Sequence, residues 1–199
     1  MNRNILFLHV PKTAGSSLNH HPISQKIDCK IHPISEFGIW DKITEENAQD
    51  HYKIAFIRNP WDRFVSLYFY FYNMQPNHWA YKYDYQTVQN IRRFKSFEDF
   101  CLNFNDFDEA QPFKKFHFFN QSCWTHYKNK NIVDFLGRYE SLNKDVEYLE
   151  TKLNLESCPL KRKNESKHNH YAEYYKSNTQ DIVADIYAKD INYFNYKFK

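Results

Sequence analysis

Two short stretches carry residue types suited to anion chemistry. The first, HVPKTAGSSL at 9–18, follows the apolar run Ile5-Leu6-Phe7-Leu8 and holds one of only three glycines in the chain. Its order is strand, tight turn, Lys12, Gly15, two serines, helix, which is the layout of a phosphate cradle. Backbone N–H groups at the helix start face an anion, glycine admits the backbone, lysine adds a point charge, and Ser/Thr add donors. The Walker A pattern GxxxxGK[ST] uses the same physics. Here the lysine precedes the glycine and the first glycine is missing, so that pattern fits poorly. The second stretch, FIRNPWDRFVSLY at 56–68, sends Arg58 off the end of an apolar run and brings Ser66 eight residues later. Arg58 can grip a phosphate through two parallel N–H donors. Arg63, by contrast, reads as a surface partner of Asp62.

The elements that must position these residues follow from apolar periodicity. Residues 4–10 (NILFLHV) are a continuous apolar run ended by Pro11, as in a buried parallel strand. After Gly15 a short Ser/Leu/Asn stretch opens a helix. KIAFI at 53–57 predicts a second buried strand. Asn59-Pro60 then supplies a cap and a first-turn proline. Phe64, Leu67, Tyr68 and Phe71 continue at helical spacing, which predicts a helix from about 60 to 73. Residues 74–90 read as an irregular aromatic insertion, followed by a helix near 96–105. NIVDFL at 131–136 predicts a third strand closed by Gly137, and Ser141 caps a helix bearing Leu142, Val146, Leu149 and Leu153. A basic loop spans 157–170, and a last helix begins near Thr179. Strand–helix alternation predicts an α/β fold with a central parallel sheet flanked by helices.

Composition bounds the function. A chain of 199 residues suits one domain, 1–199, with a sizeable core. A net charge of +3 is too weak to indicate nucleic acid, but it suits a small anionic ligand. The cysteines at 29, 101, 123 and 158 form no CxxC pair, so a zinc ribbon is not expected. No run approaches the roughly 20 apolar residues of a membrane span. Free thiols in a reducing cytoplasm are the expectation.

Taken together, these motifs resemble the sulfotransferase superfamily, and most closely its carbohydrate branch, which includes the heparan sulfate 2-O-sulfotransferases and small bacterial members. HVPKTAGSSL resembles the family's 5′-phosphosulfate loop, and FIRNPWDRFVSLY its 3′-phosphate motif. GRYESLNKDVEYL at 137–149 resembles the segment whose tyrosine meets adenine, and HYAEYYKSNTQDIVADIYAKDINYFNYKF the closing region. The resemblance implies a P-loop-like sulfotransferase fold. It also implies transfer of a sulfuryl group from 3′-phosphoadenosine 5′-phosphosulfate (PAPS) to a hydroxyl or amine, without a metal. By position, Lys12 would contact the sulfate and bridging oxygen. Thr13, Ala14, Gly15, Ser16 and Ser17 would hold the 5′-phosphate, Arg58 and Ser66 the 3′-phosphate, and Tyr139 the adenine. The family's late glycine-rich loop has no glycine counterpart here. Lys161-Arg162-Lys163-Asn164-Glu165-Ser166-Lys167 stands in its place, with Ser166 and Lys167 as the implied contacts.

Removing a proton from an acceptor hydroxyl near pH 7 calls for a histidine. His32, in CKIHPISEF, falls between the two phosphate motifs, where the carbohydrate sulfotransferases carry their catalytic histidine. Glu36, one helical turn on, could orient it or replace it, though a solvated carboxylate is the simpler reading. His9 reads as structural, His20-His21 as solvated loop, and His168-Asn169-His170 as loop residues near the phosphates. In the aromatic run 68–85, Trp79 and Tyr81 could stack on a sugar. The simpler account is a helix core face followed by a packed loop. A carbohydrate or glycan precursor is the expected partner, without nucleic acid or stable membrane insertion. Two rivals stand beside this reading: a nucleotide kinase or NTPase with Asp134 holding Mg²⁺, and an RNA-binding module.

Overall fold

Four short segments build a sheet, and their apolar character dictates how it is covered. In the computed structural model, which describes residues 4–31, 51–109, 115–160 and 168–199, the first apolar run forms β1 (Ile5–Leu8). β2 (Ile27–Ile31) and β3 (Tyr52–Ile57) flank it in parallel, with Leu8 aligned to both Ile31 and Ala55. Between Ile57 and the end of the sheet come β4 (His126–Tyr127) and β5 (Lys130–Asn131), a separate antiparallel hairpin. β6 (Phe135–Arg138) then pairs in parallel with β3, Ile57 opposite Arg138, giving the order β2-β1-β3-β6.

The chain divides into two compact units. The first comprises Met1–Arg58 and Gln121–Glu165 and contains the sheet. Alternate residues of its strands enter opposite apolar layers. Ile5, Phe7, Ile54 and Phe56 pack with Leu142, Val146 and Leu149 of helix Leu142–Lys152. Leu6, Leu8 and Ala55 pack with Val133 on the other face. A strand buried on both faces must read as an unbroken apolar run, as β1 does. The architecture is α/β, a parallel sheet flanked by helices.

The strand expected at 131–136 is displaced. Asp134 lies ahead of β6, where its N–H donates to the Lys53 carbonyl at 2.9 Å and its carboxylate accepts from the Lys53 N–H at 2.8 Å. Gly137, read as the strand's terminator, sits inside β6 because a Cβ there would collide with the Phe56 ring. Lys128 and Asn129 both have positive φ (47° and 61°), the backbone a two-residue hairpin turn requires.

The second unit comprises Asn59–Asn120 and Ser166–Lys199. Its described elements are helical, beginning with Pro60–Tyr72. The Asn59 side chain accepts from the N–H groups of Trp61 (3.1 Å) and Asp62 (3.4 Å), the cap the sequence predicts. Phe64 is the centre of an aromatic cluster. It stacks on Phe100 with centroids 5.2 Å apart and meets Phe97, Phe104, Phe118 and Tyr187 edge-on. Residues 74–90 are not irregular throughout, since Tyr81–Ile91 is a helix buried through Thr87, Val88 and Ile91. The single helix expected at 96–105 is two, Phe97–Leu102 and Phe104–Glu109. The last helical stretch likewise divides into Ser177–Ile186 and Ala188–Phe194. Arg63 is fully buried rather than on the surface. Its guanidinium donates to the carbonyls of Phe119 (3.0 Å) and His117 (2.5 Å), so burial is met by charge-assisted hydrogen bonds. Among the described residues, no helix is long and apolar enough to cross a membrane.

Candidate functional site

Parallel strands deliver their carboxyl ends to one edge of the sheet, where ligands of such folds bind. Three of the predicted residues leave that edge within the first unit. The Lys12 loop follows β1, Arg58 follows β3, and Tyr139 follows β6.

The loop after β1 is strongly bent. Lys12 (φ 66°) and Ala14 (φ 82°, ψ 10°) both occupy the left-handed region without being glycine. Each such residue costs about 1–3 kcal/mol, a strain typical of functional loops. Backbone turned in this way gathers N–H groups into a concave anion-binding surface. Thr13 is fully buried and its hydroxyl donates to the Val10 carbonyl at 2.8 Å, so the hydroxyl proton braces the loop. The N–H groups of Ser17 and Leu18 return to the Ala14 carbonyl at 2.9 and 3.1 Å, closing the one-turn helix Gly15–Leu18. Gly15 admits a close approach of a kind the sequence did not suggest: a Cβ there would overlap the His9 imidazole. The His9 ring also packs on Phe7, centroids 5.5 Å apart, in keeping with a structural role. Ser16 is half-buried and Ser17 buried.

Arg58 is 6% exposed, and it ties the loop to the strand end. Its Nη1 donates to the Lys12 carbonyl at 3.3 Å, and its guanidinium lies over the Tyr139 ring, 4.1 Å from the centroid. Burial, and then the neighbouring Arg58 charge, lower the Lys12 ammonium from the usual 10.5 to about 7. Positive charge from Lys12 and Arg58 on one sheet edge suits an anionic ligand. Tyr139 opens a 3-10 turn, Tyr139–Ser141, at the head of helix Leu142–Lys152. Ser141 does not cap that helix through its side chain. Its hydroxyl instead donates to Asp145 at 2.8 Å, and Asp145 also accepts the Arg138 N–H at 2.6 Å, which fixes the turn carrying Tyr139.

The chain matches the family model described as Sulfotransferase family over residues 2–197. It belongs to the sulfotransferase family. No curated protein and no solved structure matches it. Its general chemistry is therefore sulfuryl transfer.

The remaining predicted residues of this sulfotransferase fall in different places. Ser66 is fully buried on helix Pro60–Tyr72 of the second unit. His32, Glu36, Ser166 and Lys167 lie outside the described residues. His20 is exposed as expected, but His21 is not solvated loop. It is 3% exposed, with its Nε2 3.0 Å from Glu150 and 3.0 Å from the Cys158 carbonyl, while Nδ1 accepts the Ile23 N–H at 3.2 Å. His170 caps the 3-10 turn Tyr171–Tyr174 in the second unit, and His168 stacks on Phe69 at 5.8 Å. Tyr68 and Phe71 are core residues, whereas Trp79, Tyr83 and Tyr85 are exposed rather than parts of a packed loop. Asp134, the mimic of a magnesium-holding aspartate, precedes β6 and pairs with Lys53 at 3.6 Å. It therefore occupies the sheet edge opposite Lys12 and Arg58. Among the described residues, no three His, Cys, Asp or Glu come together in a group that could hold a metal.

The sequence reading missed Gln121. This residue is fully buried and hydrogen-bonds both backbone groups of Arg58, at 2.8 Å each. No local pattern signals it, because it lies 63 residues from its partner.

Proposed function

We propose that this sulfotransferase moves the sulfuryl group of PAPS to a hydroxyl of a carbohydrate acceptor. The observation that carries the proposal is the contact of the Arg58 guanidinium with both the Lys12 carbonyl and the Tyr139 ring. It gathers a point cation, a planar cation and an aromatic face on one sheet edge, which matches the needs of an adenine nucleotide with two separate anionic groups. In this reading the cradle residues Thr13, Ala14, Gly15, Ser16 and Ser17 hold the 5′-phosphate. Arg58 grips the 3′-phosphate, and the resemblance assigns Ser66, Ser166 and Lys167 to the same group. Tyr139 offers its ring to the adenine.

Sulfuryl transfer requires the attacking oxygen, sulfur and leaving oxygen to be in line, so the protein acts mainly by positioning and by neutralising charge. Negative charge grows on the oxygen that leaves sulfur. Lys12 is the group suited to neutralise it, since its amine binds a proton as anionic charge enters the cradle. His32 is the proposed base, taking the acceptor's hydroxyl proton as the S–O bond forms. Exposed Trp79 and half-buried Tyr81 supply aromatic faces suited to a sugar.

The rival nucleotide kinase needs a magnesium carboxylate at the phosphates, and Asp134 is engaged with Lys53 at the far edge. Thermal denaturation separates the two. At 100 times its dissociation constant, 3′,5′-adenosine bisphosphate without metal should stabilise the protein by about 2.7 kcal/mol. In a chain of this size that raises the melting temperature by about 5–10 °C. A larger shift with ATP and Mg²⁺ than with the bisphosphate would favour the kinase.

A further inference from the structure

Arg58 lies one residue past the paired length of β3, whose register with β6 ends at Ile57 and Arg138. Its backbone is nonetheless buried with the rest of the residue. Buried peptide groups beyond the end of a ladder need partners from elsewhere. Gln121 meets both needs with one side chain. Its Oε1 accepts from the Arg58 N–H at 2.8 Å, and its Nε2 donates to the Arg58 carbonyl at 2.8 Å. A primary amide carries an acceptor and a donor on one planar group, so it serves as a detached peptide unit that prolongs the ladder by a residue.

Gln121 is itself held. It directly precedes the short helix Ser122–Thr125, and its carbonyl accepts from the Trp124 N–H at 3.0 Å and the Thr125 hydroxyl at 3.4 Å. The direction in which Arg58 leaves the strand therefore depends on a rigid neighbour rather than on the arginine's own side chain. That direction decides whether the guanidinium reaches the Lys12 carbonyl and the Tyr139 ring.

We propose that Gln121 is a positioning residue of the donor site, clamping the Arg58 backbone so that its guanidinium is aimed at the nucleotide's 3′-phosphate. This rests on the assignment of Arg58 to that phosphate. In this role Gln121 acts through Arg58 rather than by contact with substrate.

The test compares Gln121→Met, of similar length without the amide, and Gln121→Glu, which keeps only the acceptor. Each is made with Arg58 present and with Arg58→Ala. Calorimetry gives the dissociation constant for 3′,5′-adenosine bisphosphate, and thermal melts give stability. The clamp grips backbone, so Arg58→Ala retains it. The melting-temperature loss on removing the amide should be the same in both backgrounds. A loss of affinity of about tenfold should appear only where the guanidinium is present, a non-additivity that a purely structural glutamine cannot produce. Gln121→Glu should lose several-fold on the same pattern, and it carries the comparison if Gln121→Met does not fold. Equal fold-losses in the two backgrounds, or unchanged affinity in a folded variant that retains Arg58, overturn the proposal. Native protein that fails to bind the bisphosphate removes the donor-site reading itself, and this proposal with it.

Discussion

In the proposed reaction, Lys12 is the residue that meets the charge on the leaving oxygen. Its ammonium is held near 7 by burial first and Arg58 second. A lysine whose folded pKa is lowered destabilises the folded state wherever the unfolded chain still binds the proton. That cost is complete below pH 7 and vanishes as pH rises through the unfolded value near 10.5. Lys12→Met should therefore raise the melting temperature at pH 6 by at least the roughly 2–4 °C that about 1 kcal/mol produces in a chain of this size. The gain should shrink towards zero by pH 10. The same substitution should cut sulfuryl transfer by about 10²–10³-fold, as expected when a group that stabilises developing charge is removed. Melts at several pH values and a transfer assay with labelled donor read the two effects separately. A variant no more stable than the native protein at pH 6 would show that the Lys12 charge is not under strain.

Elements place that residue, and the cradle is the element most exposed to test. Gly15 is small because the His9 ring occupies the space a Cβ would take. Gly15→Ala should displace the imidazole, cost about 1–3 kcal/mol through overpacking, and weaken bisphosphate binding at least about tenfold. Melts and calorimetry check both losses, and unchanged affinity would detach the glycine from the cradle. The elements that were legible in the sequence share a cause. β1 and β3 are buried on both faces and so read as unbroken apolar runs. Helix Pro60–Tyr72 announces itself through Asn59-Pro60, and the Asn59 cap is present. What escaped was set by partners distant in the chain. β2 is interrupted by Asp28 and Lys30, so it shows no apolar run. β6 starts late because Asp134 is spent on the backbone of Lys53. Arg63 looked like half of a surface ion pair, yet carbonyls from 54 and 56 residues away hold it inside. Lys12 and Arg58 were legible as candidates because each follows an apolar strand, and Tyr139 because its segment resembles the family's adenine-contacting one. Gln121 was not, since its role exists only once the chain has folded.

At the scale of the whole molecule, the proposed nucleotide site lies at the carboxyl edge of the parallel sheet. The first unit contributes both strand ends and the turn that bears Tyr139. A sulfotransferase donor differs from an ordinary nucleotide in carrying phosphate at both ends of its ribose, and the account assigns those two anions to different elements. Calorimetry of native protein and Arg58→Ala, each with 3′,5′-adenosine bisphosphate and with adenosine 5′-monophosphate, addresses that assignment most directly. The account predicts that Arg58→Ala weakens the bisphosphate by at least about tenfold more than the monophosphate, the equivalent of about 1.4 kcal/mol held by the 3′-phosphate alone. Equal losses for the two nucleotides would contradict it.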